Sequence, residues 1–257
     1  MSRTDPPTTF PPAAARTDDV APVPRRIRGR LGGRTIFDTT RARYVWEWSH
    51  YPQYYVPRDD VDPDVLVDEG VRHQGRRGTV QVHGLRVGTV HRPGAGQVVV
   101  DSPLAGVTGT VRFDWGALDA WYEEDEEVFV HPRNPYVRVD AVRSSRHVQV
   151  RLGDAVLAES SSPVLVFETG LPTRYYLPAS DLRHDRLTRS TGTETACPYK
   201  GTTSYYLSAR RGDETGDDIV PDVAWCYSFP TAAVAPIAGL VAFYPDKVDV
   251  LVDGQKV

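Results

Sequence analysis

Apolar and polar residues alternate over short stretches along most of the chain. Val148-Gln149-Val150-Arg151-Leu152 puts three apolar side chains on one face of an extended segment, and Gly153-Asp154 follows as a tight-turn pair. Strand side chains point alternately to opposite faces, and Gly and Asp tolerate hairpin dihedrals, so this stretch predicts a strand and its turn. Ala155 to Ala158 is the expected returning strand. Val164 to Phe167 is short and apolar, and Ser204-Tyr205-Tyr206-Leu207 is rich in aromatic strand formers. Val223, Trp225, Tyr227 and Phe229 recur with period two and are expected to share one strand face. Val248 to Val252 completes the series. Helical periodicity is weak, with turns expected only at Ser180 to Leu187 and around Trp115 to Tyr122. The pattern predicts an all-β protein with minor short helices.

The pattern is also written twice. Leu31-Gly32-Gly33 aligns with Leu152-Gly153-Asp154, Trp46-Glu47 with Phe167-Glu168, and Tyr54-Tyr55-Val56-Pro57 with Tyr175-Tyr176-Leu177-Pro178, all 121 positions apart. Near the ends, Val128-Phe129-Val130-His131-Pro132 pairs best with Val241-Ala242-Phe243-Tyr244-Pro245, and Val139-Asp140 with Val252-Asp253, now 113 positions apart. That change of offset predicts an insertion in the middle of the first copy. The expected organisation is two tandem homologous antiparallel β domains with pseudo-symmetry, over residues 27–142 and 148–257. Residues 1–26 carry six prolines and are expected to be a disordered Pro-rich tail, because proline fixes φ and donates no hydrogen bond.

Composition narrows the function classes. The 257 residues are 40% hydrophobic and 25% charged with a net charge of −4, which lacks the basic footprint of a nucleic-acid binder. The longest apolar runs, such as Ala238 to Phe243, fall far short of the roughly 20 residues of a membrane helix. Two cysteines make no disulfide framework, and with no export signal the expected compartment is the cytoplasm, with Cys197 and Cys226 reduced. No metal-ligand spacing appears among the histidines and cysteines, and the run Glu123 to Glu127 is expected to be a solvated acidic surface. Cofactor and oligomeric state are not indicated.

The second copy carries the phrases Tyr175-Tyr176-Leu177-Pro178, Cys197-Pro198-Tyr199-Lys200-Gly201-Thr202, Ser204-Tyr205-Tyr206, Ala224-Trp225, Ala235-Pro236-Ile237-Ala238-Gly239 and Val241-Ala242-Phe243-Tyr244. In this order they resemble the domain of unknown function 427 family, also described as nucleotidyltransferase-like. The resemblance implies a mostly β fold and places a His before the Cys-Pro-Tyr-Lys-Gly phrase, where this chain has Ala196. The first copy keeps the opening but loses the centre: aligning Gly78 with Gly201 puts Arg77 at the lysine position, Gln74 at the cysteine and His73 at Ala196.

Cys197 and Lys200 form the sharpest constellation. A cation beside a thiol raises its thiolate fraction, and lysine is scarce here, occurring only at positions 200, 247 and 256. Tyr176, Tyr199, Tyr206, Trp225 and Tyr227, with Gly201, are the expected lining of a pocket for a small molecule, because aromatic rings with polar tips suit flat or sugar-like ligands; for most of the aromatics a place in the core is the favoured reading. Lys200-Gly201-Thr202 is not a phosphate loop, since the glycine follows the lysine. The leading expectation is a small-molecule binding module in the second domain, with Lys200 meeting an anionic or carbonyl group. The alternatives are an enzyme using Cys197 or Lys200 as nucleophile or proton-transfer group, and a structural interaction protein.

Overall fold

A computed structural model describes residues 15–211 and 218–257. The chain divides into two compact units, one ending at Tyr136 and one beginning at Val137. Both are antiparallel β units, and among the described residues helix is confined to short 3-10 turns at Arg58–Asp60, Trp115–Ala117, Ala179–Asp181 and Ala232–Ile237. Two of these fall where the sequence predicts turns.

In the first unit a seven-stranded sheet runs in the order Val20–Pro22, Arg43–Val45, Gln53–Pro57, Thr110–Phe113, Val90–Asp101, Gly78–Val87, Leu66–Gly75. A four-stranded sheet runs Glu126–Val128, Ala120–Glu123, Ile27–Leu31, Arg34–Thr39. The second unit repeats the scheme. Its large sheet runs Val139–Arg143, Val164–Glu168, Arg174–Leu177, Val241–Phe243, Ile219–Cys226, Tyr205–Arg210, Leu187–Arg189. Its small sheet runs Ala155–Ser160, Val148–Leu152, Asp249–Val252, Gln255–Lys256, and a two-stranded ribbon pairs Ala196–Cys197 with Gly201–Thr202. Val148, Val150 and Val252 of the small sheet join Leu177, Ala224, Cys226 and Val241 of the large one in a single buried cluster. The two sheets therefore pack face to face, each strand giving alternate side chains to the shared core.

Four expectations are corrected. Residues 20–22 do not belong to a tail: they pair with Arg43–Val45 at the sheet edge, and Val23 is buried. An edge strand tolerates Pro22 because a ladder donor is dispensable on its outer side; residues 1–14 lie outside the described residues. Second, Val139–Arg143 does not close the first domain but pairs with Val164–Glu168 as the edge strand of the second. Third, the counterpart of Val241–Phe243 is Thr110–Phe113, not Val128 to Val130. Val111 pairs with Val56, and Val241 pairs with Leu177, the residue aligned with Val56. The offset thus rises to 130 along the chain, and the extra length lies in the second copy. Fourth, Val223, Trp225, Tyr227 and Phe229 do not share a face. Leu207 pairs with Ala224 but Ala209 with Val220, so the strand bulges, with Asp222 at φ 51°. A bulge resets the alternation: Val223 turns into the inter-sheet core, whereas Trp225 and Tyr227 lie in a separate cluster. The strand ends at Cys226 and Phe229 is 90% exposed.

Candidate functional site

The outer face of the second unit's large sheet carries one row of directly paired residues. Val164 pairs with Tyr176, Tyr176 with Ala242, Ala242 with Trp225, and Trp225 with Tyr206. Direct cross-strand partners put their side chains on the same side of an antiparallel sheet, and all five lie in one buried cluster. Ala242, fully buried at the centre of the row, is flanked by the rings of Tyr176 and Trp225. A cavity of about 150 Å³ opens beside these rings, lined by Tyr176, Tyr206, Trp225, Tyr227, Tyr244, Thr195, Lys200, Glu168, Leu171, Pro172 and Arg174.

The walls are ordered by their polar tips. The Trp225 indole N–H donates to Tyr176 Oη at 3.3 Å, with the rings edge to face. Tyr206 Oη shares a 2.6 Å hydrogen bond with Thr195 Oγ1 and lies 3.4 Å from Tyr244 Oη. The Trp225 and Tyr244 rings are tilted against each other with centroids 4.3 Å apart. Burial pushes the phenols of Tyr176, Tyr227 and Tyr244 well above the ordinary tyrosine range. They are neutral donors and acceptors at physiological pH.

One corner is ionic. Glu168 ends its strand and Arg174 opens the next, so the turn between them delivers Glu168, Leu171, Pro172 and Arg174 to the same rim. Lys200 is held by the ribbon that pairs Cys197 with Gly201. Gly201 sits at φ +94° with the Phe229 carbonyl oxygen 3.6 Å from where a Cβ would stand, a backbone conformation for which glycine is suited. The Lys200 ammonium donates to Glu168 Oε2, in a pair whose side chains are only 10% and 12% exposed, and lies 3.9 Å from Cys197 Sγ.

Of the sequence-predicted residues, Lys200, Tyr176, Tyr206, Trp225 and Tyr227 therefore converge on the cavity. Cys197 touches Lys200 from outside the lining, Gly201 shapes the backbone, and the Tyr199 carbonyl accepts from Thr231 Oγ1. Both thiols are free, and Cys226 is buried. Glu168, Arg174 and Thr195 carry no sequence motif, and Tyr244 ends the phrase Val241-Ala242-Phe243-Tyr244 without having been expected in the lining. Glu168 nevertheless had a signal, because its column holds a glutamate, Glu47, in the other copy. Among the described residues no three His, Cys, Asp or Glu side chains gather as a metal site. No helix among them is long and apolar enough to cross a membrane.

The equivalent row of the first unit is Arg43, Tyr55, Arg112, Gln97 and Val82. Arg112 stands in the column of Ala242 and reaches Glu47, its Nε 3.2 Å from Oε1, while Tyr55 Oη donates to the same oxygen at 3.0 Å. Arg77, in the lysine column, bonds Asp18 and the Glu47 carbonyl oxygen. His73 and Gln74 are exposed on a long strand. Glu123 departs from the expected solvated acidic run: it is 2% exposed, accepts from Tyr54 Oη and pairs with Arg25.

A family model described as a domain of unknown function (DUF427) matches residues 19–124 and again residues 140–254. No curated protein matches the chain.

Proposed function

The chain belongs to the domain of unknown function 427 family, in two tandem copies, and from that premise we propose that its second copy is a small-molecule binding module. The observation that carries this reading is the cavity beside Tyr176, Tyr206 and Trp225, where aromatic walls, hydroxyl groups and an ionic corner converge. Ligand sites combine apolar walls with a few placed polar groups in this way. The volume of about 150 Å³ sets the ligand's size: a cavity of that order accepts a benzene-sized ring. The buried portion is one ring, not a whole nucleotide.

Lys200 has a double part in this reading. Its ammonium carries three donors, of which two face Glu168 and Cys197, so a third is free to meet a carbonyl or anionic oxygen. The test is a calorimetric and thermal-shift screen of one-ring acids, amides, alcohols and sugars against the whole chain. Tyr206→Phe keeps the ring but removes the hydroxyl bonded to Thr195, and a binder is expected to weaken several-fold in it. A screen without binders, or binders indifferent to Tyr206→Phe and Tyr244→Phe, contradicts the reading.

The 3.9 Å approach of the Lys200 ammonium to Cys197 Sγ favours a second reading, an enzyme with a Cys197 nucleophile. It has less support, because Glu168 already engages that ammonium and Cys197 is outside the lining. It requires alkylation of Cys197 to be faster than that of a free thiol and to slow in Lys200→Met.

A further inference from the structure

We propose that the cavity takes a singly charged, one-ring organic acid, and that Arg174 is the residue that holds its carboxylate; this rests on the binding reading above. Arg174 Nη1 is buried and has no hydrogen-bond partner. A buried donor left unmade costs free energy comparable to its desolvation, more for a charged group. Several other arginines, among them Arg112, Arg133, Arg138 and Arg146, meet carboxylates. Among the described residues Arg174 meets none within ion-pair distance, although it lines a cavity.

The charge around the cavity sets the charge of the guest. Its lining contains two cations, Arg174 and Lys200, and one carboxylate, Glu168, which Lys200 already pairs. The lining tyrosines Tyr176, Tyr227 and Tyr244 stay protonated. One positive charge remains, on a planar fork of donors that matches the two oxygens of a carboxylate. A monoanion neutralises it, whereas a phosphate dianion leaves an excess negative charge beside Glu168. The rings of Trp225 and Tyr244 supply the apolar wall for the rest of the guest.

The first unit differs in the column of Arg174 itself. The strand position of Arg174 is Gln53 there, a neutral buried residue, and the cation Arg112 is matched by Glu47. The expected guest binds the second unit alone.

The experiment compares benzoate, its neutral isostere benzamide and phenyl phosphate by calorimetry on the whole chain, in wild type, Arg174→Gln and Arg174→Lys. Benzoate is expected to bind at least tenfold more tightly than either analogue. Arg174→Gln should lower its affinity by roughly 10- to 100-fold, the worth of a charge-assisted hydrogen bond, and leave benzamide unchanged. Arg174→Lys should recover only part of the loss. Equal binding of benzoate and benzamide, tighter binding of phenyl phosphate, or benzoate binding unaffected by Arg174→Gln overturns the inference. So does absence of benzoate binding to wild type. If Arg174→Gln does not fold, the wild-type comparison of the three probes and Arg174→Lys decide. The binding reading itself survives any of these failures if another one-ring compound binds with sensitivity to Tyr206→Phe, and falls with them if none does.

Discussion

Single residues keep the two copies alike by compensation. Gly29 and Phe37 are direct cross-strand partners in the first unit, and Val150 and Ala158 occupy the same columns in the second. A Cβ on Gly29 would stand 2.4 Å from the Phe37 ring and 2.5 Å from Leu118. The volume that one copy places on one strand the other places on its partner. Gly29→Val is therefore expected to destabilise the first unit by about 1–3 kcal/mol through overpacking, read as a lowered denaturant midpoint; a neutral effect would contradict the packing described. Lys200 offers the opposite case. Lys200→Ala leaves Glu168 buried without its cation and should cost about 3 kcal/mol, whereas the double change Lys200→Met with Glu168→Leu should restore most of it. A fully stable Lys200→Ala protein would show that the pair is not closed in solution. Buried tyrosines give the pH dependence. Burial pushes Tyr44 and Tyr205 up to about 12 from an ordinary value of 10. A raised folded value means the fold holds the neutral phenol. Their contribution is complete below pH 10 and is lost as the pH rises from about 10 towards about 12. Denaturant midpoints across that range should fall, with phenolate absorbance at 295 nm rising late.

At the scale of the element, the sheet register decides where the cavity lies. Hairpins such as Leu152-Gly153-Asp154-Ala155 are legible in the sequence because alternation and turn chemistry are local. Tyr206 facing Trp225 and Tyr176 facing Ala242 are long-range pairings that no local pattern specifies. The apolar run Val128 to Val130 resembles Val241 to Phe243 in sequence, yet the strand that pairs with Gln53–Pro57 is Thr110–Phe113. That misplacement hid the substitution that matters, Arg112 for Ala242. The bulge at Asp222 was equally illegible, since its φ of 51° belongs to an aspartate rather than a glycine. Ala242→Leu puts a large side chain where the row is kept small. It is expected to abolish ligand binding at a stability cost of about 1–3 kcal/mol. Retained affinity in a folded Ala242→Leu protein would place the ligand elsewhere.

At the scale of the whole molecule, duplication has produced two cores of the same plan and two outer rows of different chemistry. Each unit has its own buried clusters, so residues 137–257 expressed alone are expected to fold cooperatively and to bind the ligand as the whole chain does. A fragment that unfolds or loses affinity would make the first copy part of the site. The repeat, the β class and five of the lining residues could be read from the sequence; Arg112 in the column of Ala242 and the unpaired Arg174 required the strands to be in place. Binding is placed in the second copy's cavity, walled by Tyr176, Tyr206 and Trp225. The most direct test of that placement is a nitrogen–proton NMR titration of the whole labelled chain with benzoate, following backbone amides and the tryptophan indole signals. The account predicts saturable shifts at the Trp225 indole N–H and at the amides of Arg174, Tyr176, Thr195 and Tyr206, with Trp46 and Trp121 unmoved. Shifts centred on Glu47, Tyr55 and Arg112 instead, or no saturable shift at any signal with every one-ring compound tried, would contradict it.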